Sequence, residues 1–363
     1  MAFQFQLGQK HLEHEKSMGE FLHPLAGKNK EEIIKSLASE GYISLPCVDN
    51  SKAEDYLSLV LTVEQVAMLC PKSANAMVEL LFAQETAKRY APEDCQKSCV
   101  AKIANLELKI NVLLSEPGNY RVDKLSTKIK KTANGYKITG TKLFAPENAG
   151  ADRYLVAGKY VEGDKSKLAL VGVDASKINF VTKEFAYGPH SFKTELAEID
   201  TEVESERFIT DIKEDMNAAL SVWRTLISAS AIGMAHNNLT SSLAVVKSIK
   251  NSKNQMLSSS QAIQFTLADM FGEIEGARLV TYYSASLIDA GKPSPRFSSI
   301  AKVQATEAAV FLSNKASGLF GNVGNVYDEA YLEALQLAYN RQIKDGSYIN
   351  SQNIIYEEAL ARR

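Results

Sequence analysis

Leu125-Ser-Thr127-Lys-Ile129-Lys-Lys-Thr-Ala-Asn134-Gly135-Tyr136-Lys-Ile138-Thr-Gly140-Thr-Lys142-Leu143-Phe144 is the stretch that decides the architecture. Leu125, Thr127 and Ile129 alternate with polar residues, and Tyr136, Ile138 and Leu143 carry the apolar face beyond Asn134-Gly135. A period of two puts alternate side chains on one face of a strand. Asn-Gly tolerates the positive φ of a tight turn, so the stretch predicts a β-hairpin. Arg153-Tyr-Leu-Val-Ala-Gly-Lys159 and Lys167-Leu-Ala-Leu-Val-Gly-Val173 read as a second strand pair, and residues 191–200 alternate again. A small antiparallel β domain is expected over residues 110–213.

On both sides of it the period becomes helical. Over residues 1–109 the apolar spacing predicts helices from Glu31, from Tyr56 to Leu69 and from Ala74 to Tyr90, the last closed by Ala91-Pro92. Short loops between them suit an antiparallel bundle. Over residues 214–363 longer helices are expected: Trp223–Lys250, Ser260–Ala290, Phe297–Ala316, Asp328–Arg341 and from Ile354 onward. Ser258-Ser-Ser260 offers an N-cap before Gln261. The small residues of Ser228-Ala-Ser-Ala-Ile-Gly233-Met-Ala allow another helix to approach closely. The fold class is therefore mostly α with a small central antiparallel β domain: helix bundle, sheet, helix bundle.

Composition narrows the function classes. A formal charge of −2 gives no general attraction to nucleic acid or anionic lipid. No uninterrupted apolar stretch has the roughly 18 residues that a membrane span needs. The N-terminal MAFQFQLGQKHLEHE has early acidic residues and no apolar centre, which argues against a secretory signal and predicts a cytoplasmic protein. Cys47, Cys70, Cys95 and Cys99 read as reduced, buried or half-buried thiols. His11 and His14 read as solvated, and His236 as a packing residue in an apolar helix. Cys95 and Cys99 are four apart and could share a helix face, but no further His or Cys pair at ligand spacing is nearby, so no metal is expected.

Several strings, in order, resemble the acyl-CoA dehydrogenase family. Leu114-Ser115-Glu116-Pro117 is similar to the family's Leu-Thr-Glu-Pro, and Gly135 to Phe144 to its Gly-x-Tyr-x-Leu-Asn-Gly-x-Lys-x-Trp. Gln261 to Met270 and Ile274 to Arg278 follow the family text closely. Asp289-Ala-Gly-Lys-Pro293, Gly321-Asn-Val-Gly324 and Ile343-Lys-Asp-Gly-Ser347 continue it.

The resemblance implies α,β-dehydrogenation of an acyl-CoA thioester. In such enzymes a carboxylate removes an α-proton, FAD takes the β-hydride, and an electron-transfer flavoprotein carries the electrons away. Asp345 stands where most members carry the catalytic Glu, one methylene shorter; before Gly346 it also reads as a turn residue. Other members carry that Glu immediately before the Arg matched here by Arg224, but this chain has Trp223 there. On the thioester side the resemblance implies Arg224 and Glu116; Arg121 departs from the family's small-residue loop but could meet a phosphate. Toward flavin it implies Ser115, Phe144, Lys250, Gln261, Gly321 and Ser347.

The strings that would touch flavin and thioester are the altered ones. Phe144-Ala-Pro146 replaces the family's Trp-Ile-Thr, and Lys250 replaces an Arg that reaches a flavin phosphate across a dimer. Two further readings follow. The chain is a non-catalytic or half-site subunit that pairs with an active paralogue, or a flavin-free acyl-CoA-binding protein. A homodimer, homotetramer or heteromer is expected.

Overall fold

The computed structural model describes residues 7–361 except 94–95, 119–120, 146–150, 163–164, 188–189, 205–207, 211, 328 and 344–345. The first helices are α1 (Gln9–Leu22), α2 (Lys30–Ser39), α3 (Tyr56–Leu69), α4 (Pro71–Tyr90) and α5 (Gln96–Ala104). Their ends follow local chemistry. Asn29 accepts the Glu32 N–H while the Glu32 carboxylate accepts the Asn29 N–H, a reciprocal cap at the start of α2. The Asp55 side chain caps α3 through the Ser58 N–H.

The strands follow: β1 (Ile110–Leu113), β2 (Lys128–Lys131), β3 (Tyr136–Ala145), β4 (Arg153–Glu162), β5 (Lys165–Asp174), β6 (Ile178–Tyr187), β7 (His190–Val203) and β8 (Phe208–Thr210). They form one sheet in the order β6-β7-β3-β2-β4-β5-β8, with β1 pairing alongside β4. Leu125, Thr127 and Ile129 are buried and Ser126, Lys128 and Lys130 exposed, the alternation seen in the sequence. The β2–β3 and β4–β5 pairs are antiparallel, as the spacing predicts. The sheet is not wholly antiparallel, however: β1 and β2 each run parallel to β4.

The β2–β3 connection also differs from a two-residue turn. Lys131 pairs with Tyr136, and the Thr132 N–H is bonded to the Gly135 carbonyl, so four residues make the loop. Asn134 is not at positive φ. Gly135 does adopt a positive φ, +157°, and a Cβ there would lie 2.0 Å from the Val203 carbonyl oxygen of β7.

Five helices complete the chain: α6 (Lys213–Ser248), α7 (Gln261–Asp289), α8 (Pro295–Tyr327), α9 (Glu329–Ile343) and α10 (Tyr348–Ala359). The third of these runs beyond Ala316, and α10 starts before Ile354. Ser260 occupies the N-cap position of α7, but its hydroxyl makes no cap bond. One window of α6 is long and apolar enough to cross a membrane, and 94% of it is buried inside the protein.

That helix is the hub. Its first half shares a core with α1–α4 through Met216, Leu220 and Leu226, and its second half packs with α7 and α8 through Ile232, Met270 and Ala305. The close approach predicted from the small residues of α6 is made by α3. A Cβ on Gly233 would fall 2.2 Å from the Glu64 carbonyl oxygen and 2.6 Å from the Ala67 Cβ. Gly233→Ala is therefore expected to lower stability by about 1–3 kcal/mol despite its better helix propensity. The shift of the denaturant midpoint measures this, and a rise would show that α3 can move away.

Two histidines and a cysteine depart from the sequence expectation. His11 is buried, with its Nε2 3.1 Å from Asp55. His14 is half-buried against Thr62 at 2.8 Å, and burial holds its pKa below the usual histidine range. Cys47 is exposed, whereas Cys70 and Cys99 are half-buried. Among the described residues no His, Cys, Asp and Glu group could hold a metal ion.

Candidate active site

The segment after β1 builds one wall of the site. The Leu143 N–H donates to the Ser115 carbonyl at 2.9 Å, and Lys142 Nζ donates to the Leu114 carbonyl at 3.2 Å. These bonds stitch Leu114-Ser115 to the end of β3. The adjacent Glu116 points inward rather than toward the pocket. It accepts the Ser126 N–H at 2.5 Å, the Ser126 hydroxyl at 2.6 Å, the Thr127 N–H at 2.9 Å and Lys142 Nζ at 2.8 Å.

Both charged side chains of that pair are fully buried. Burial opposes ionisation of Glu116, but the Lys142 ammonium and the donors from Ser126 and Thr127 outweigh it and pull its pKa down to about 2. Burial pushes Lys142 down to about 8, against the attraction of Glu116. At neutral pH the pair is charged on both sides. Glu116 is thus committed to an internal clamp, and its carboxylate has no capacity left for a thioester.

α6 supplies the opposite wall. Leu220, Trp223 and Arg224 are three and four residues apart and line the same pocket. The Trp223 ring stacks on Phe82 of α4, with centroids 4.4 Å apart and planes 12° from parallel. Arg224 is only 3% exposed, and burial lowers its pKa to about 10. Arg224 Nε and Trp223 Nε1 are buried without a hydrogen-bond partner among the described residues. Unmatched buried donors cost about 1–3 kcal/mol each, so two in one pocket wall call for an explanation.

The start of α10 closes the pocket. Gly346 has φ +84°, and the Ser347 hydroxyl accepts the Asn350 N–H at 3.2 Å as the cap of α10. Tyr348 donates to Glu307 of α8 at 2.5 Å, which holds this end of α10 in place. Arg121, from the short turn before β2, donates to Glu357 of α10 at 2.6 Å.

The pocket so formed is lined by Leu114, Ser115, Arg121, Val122, Leu125, Leu220, Trp223, Arg224, Gly346 and Asn350. Its cavity is about 20 Å³, space for one water molecule.

Of the residues singled out in the sequence, Ser115, Arg121 and Arg224 meet here, and Ser347 follows the lining residue Gly346. Asp345 lies outside the described residues, immediately before Gly346. Phe144 sits on β3 and Gly321 on α8, with only their backbones described. Lys250 and Gln261 belong elsewhere. α6 continues from Arg224 to Ser248, about 36 Å at a helical rise of 1.5 Å per residue. Beyond it Lys250 bridges to Met256, and Gln261 opens α7, both exposed. Within one chain they cannot share a small site with Arg224.

The sequence reading missed Phe82, which lies on an apolar face like any core residue, and Asn350. A capping hydroxyl at Ser347 is the one local signal that marks Asn350, three residues later.

Residues 214–354 match the family model described as acyl-CoA dehydrogenase, C-terminal domain. Cyclohexane-1-carbonyl-CoA dehydrogenase of Geobacter metallireducens is 27% identical over 351 residues, covering 92% of this chain and 90% of that protein. The chain is similar to acyl-CoA dehydrogenases over nearly its whole length. The probable acyl-CoA dehydrogenase YngJ of Bacillus subtilis is likewise 27% identical, over 96% of this chain and 93% of its own. Among solved structures, butyryl-CoA dehydrogenase from Megasphaera elsdenii superposes with a TM-score of 0.85 at 22% identity, covering 99% and 100% of the two chains. That likeness establishes the acyl-CoA dehydrogenase fold for the whole length, including the curled sheet between the helical segments.

Proposed function

We propose that this chain is an acyl-CoA dehydrogenase-like flavoprotein that binds FAD and an acyl-CoA thioester, with Asp345 as the α-proton base. The observation that carries the reading is the convergence of Ser115, Arg224 and the Gly346 loop on one buried pocket. A buried guanidinium polarises a carbonyl or holds a carboxylate far more strongly than an exposed one, because water does not screen it. Trp223 and Leu125 line the same place.

The residues suit a long cofactor shared between two copies of the chain. Ser115 gives a hydroxyl at the pocket, while the exposed Lys250 and Gln261 of a second copy would meet the phosphate end. Bound FAD would supply the hydride acceptor. An oligomer also accounts for α7, where Phe265, Phe271 and Leu279 are 61%, 54% and 52% exposed. Electrons would leave to an electron-transfer flavoprotein, and the place of work would be the cytoplasm.

A second reading has its own support. Trp223 occupies the position where some relatives carry the base, and the pocket it lines has space for one water. A non-catalytic subunit that pairs with an active paralogue fits those facts. Absorbance of the chain purified alone separates the two. Stoichiometric FAD is expected from the first reading. A colourless protein that acquires flavin only when co-expressed with a paralogue supports the second. A colourless protein that still binds acyl-CoA is a flavin-free binding protein.

A further inference from the structure

The pocket is closed on its α6 side by an aromatic pair. Trp223 is 7% exposed, and Phe82 behind it is 1% exposed within the core that α4 and α6 share. Stacking at 4.4 Å leaves no space between the rings. Trp223 is therefore a fixed wall and not a side chain free to swing out. The wall is also partly polar: Arg224 is buried beside the indole, and Trp223 Nε1 has no hydrogen-bond partner among the described residues. An apolar tail pushed against a buried guanidinium would desolvate it further without offering an acceptor.

We infer that Trp223, backed by Phe82, is the acyl-length stop of this pocket and restricts the thioester to short acyl groups, no longer than butyryl. The inference rests on the acyl-CoA reading above. Dehydrogenation needs an α- and a β-carbon; with these two at the mouth of the pocket, the cavity of about 20 Å³ takes one further small group at most. Chain-length discrimination in such a pocket is steep, because a single methylene that does not fit is worth roughly tenfold or more.

Isothermal titration of acetyl-CoA, butyryl-CoA and octanoyl-CoA against the full-length protein and its Trp223→Phe, Trp223→Leu and Trp223→Ala variants tests this. The wild type and Trp223→Phe are expected to bind butyryl-CoA at least tenfold more tightly than octanoyl-CoA. The preference should shrink in Trp223→Leu and disappear or reverse in Trp223→Ala. Circular dichroism identifies a variant that fails to fold, and the Phe and Leu variants then carry the comparison. The same ranking of thioesters in every folded protein would overturn the stop, as would octanoyl-CoA binding to the wild type as tightly as butyryl-CoA. Absence of binding by any thioester to any variant would instead overturn the acyl-CoA reading, and the stop with it.

Discussion

Lys142→Met should destabilise the protein by about 3–5 kcal/mol, the usual cost of leaving a buried charge without its partner. Lys142 and Glu116 are both fully buried, and the ammonium is the only cation that forms an ion pair with that carboxylate among the described residues. Removing it leaves Glu116 with the Ser126 and Thr127 donors and an uncompensated negative charge. The double variant Glu116→Gln, Lys142→Met should recover most of the loss, since a neutral pair in this space carries no charge penalty. Urea denaturation of the three variants measures this. An additive double variant would show that the two residues are not coupled.

The same pair fixes the sign of an acid dependence. The folded pKa of Glu116, about 2, lies below its ordinary 4.5, so its ionised form is favoured by folding. Its contribution is present in full above pH 4.5 and is lost as the pH falls toward 2. The shift corresponds to about 3 kcal/mol. In Lys142→Met this part of the acid dependence should be much reduced. Because Lys142 also donates to the Leu114 carbonyl, the variant should loosen Leu114-Ser115 at the pocket and weaken ligand binding.

The second large effect is expected at Glu64. Its carboxylate accepts from Arg278 Nε at 3.0 Å, from Arg278 Nη2 at 2.6 Å and from the Tyr282 hydroxyl at 2.8 Å. Arg278 Nη2 also lies 3.1 Å from His236 Nδ1. Burial, followed by the neighbouring Arg278 charge, holds the His236 pKa below the usual range, so the neutral ring accepts this bond. The knot ties α3, α6 and α7 together just where α3 meets Gly233. Glu64→Ala should cost about 3 kcal/mol, near the lower end for a broken buried pair, because Arg278 keeps Glu275 as a partner. Glu64→Gln, which retains an acceptor for Tyr282, should cost less. Equal losses in the two variants would show that the carboxylate charge carries the whole effect and that the acceptor retained by Gln contributes nothing.

These two clusters mark where the sequence stops being legible. Alternation at Leu125, Thr127 and Ile129 reveals the strands because one face of the sheet is buried, and helical spacing reveals the long helices for the same reason. The parallel neighbours of β4 are not written in any local period. They depend on which strands the intervening segments bring together. Lys142 and Glu116 are visible as family-like letters, but nothing local says that they face each other across the sheet. His11 and His14 read as solvated because their partners, Asp55 and Thr62, are more than forty residues away.

The candidate site was legible in part for the same reason. Arg224, Ser115 and Arg121 stand in strings that resemble a family pattern, and the fold gathers them. Phe82 carries no such mark, yet it stacks on Trp223 in the pocket wall. Lys250 and Gln261 match the pattern too, but the length of α6 removes them to the other end of the chain's own bundle.

The most direct test of the acyl-CoA dehydrogenase reading is anaerobic titration of the FAD-loaded protein with butyryl-CoA, following the visible flavin absorbance. Bleaching by the wild type that is at least a hundredfold slower in Asp345→Asn is the expected result, given the usual contribution of a positioned base. A fully FAD-loaded wild type that butyryl-CoA never bleaches, or an Asp345→Asn variant that bleaches at the same rate, would contradict the account.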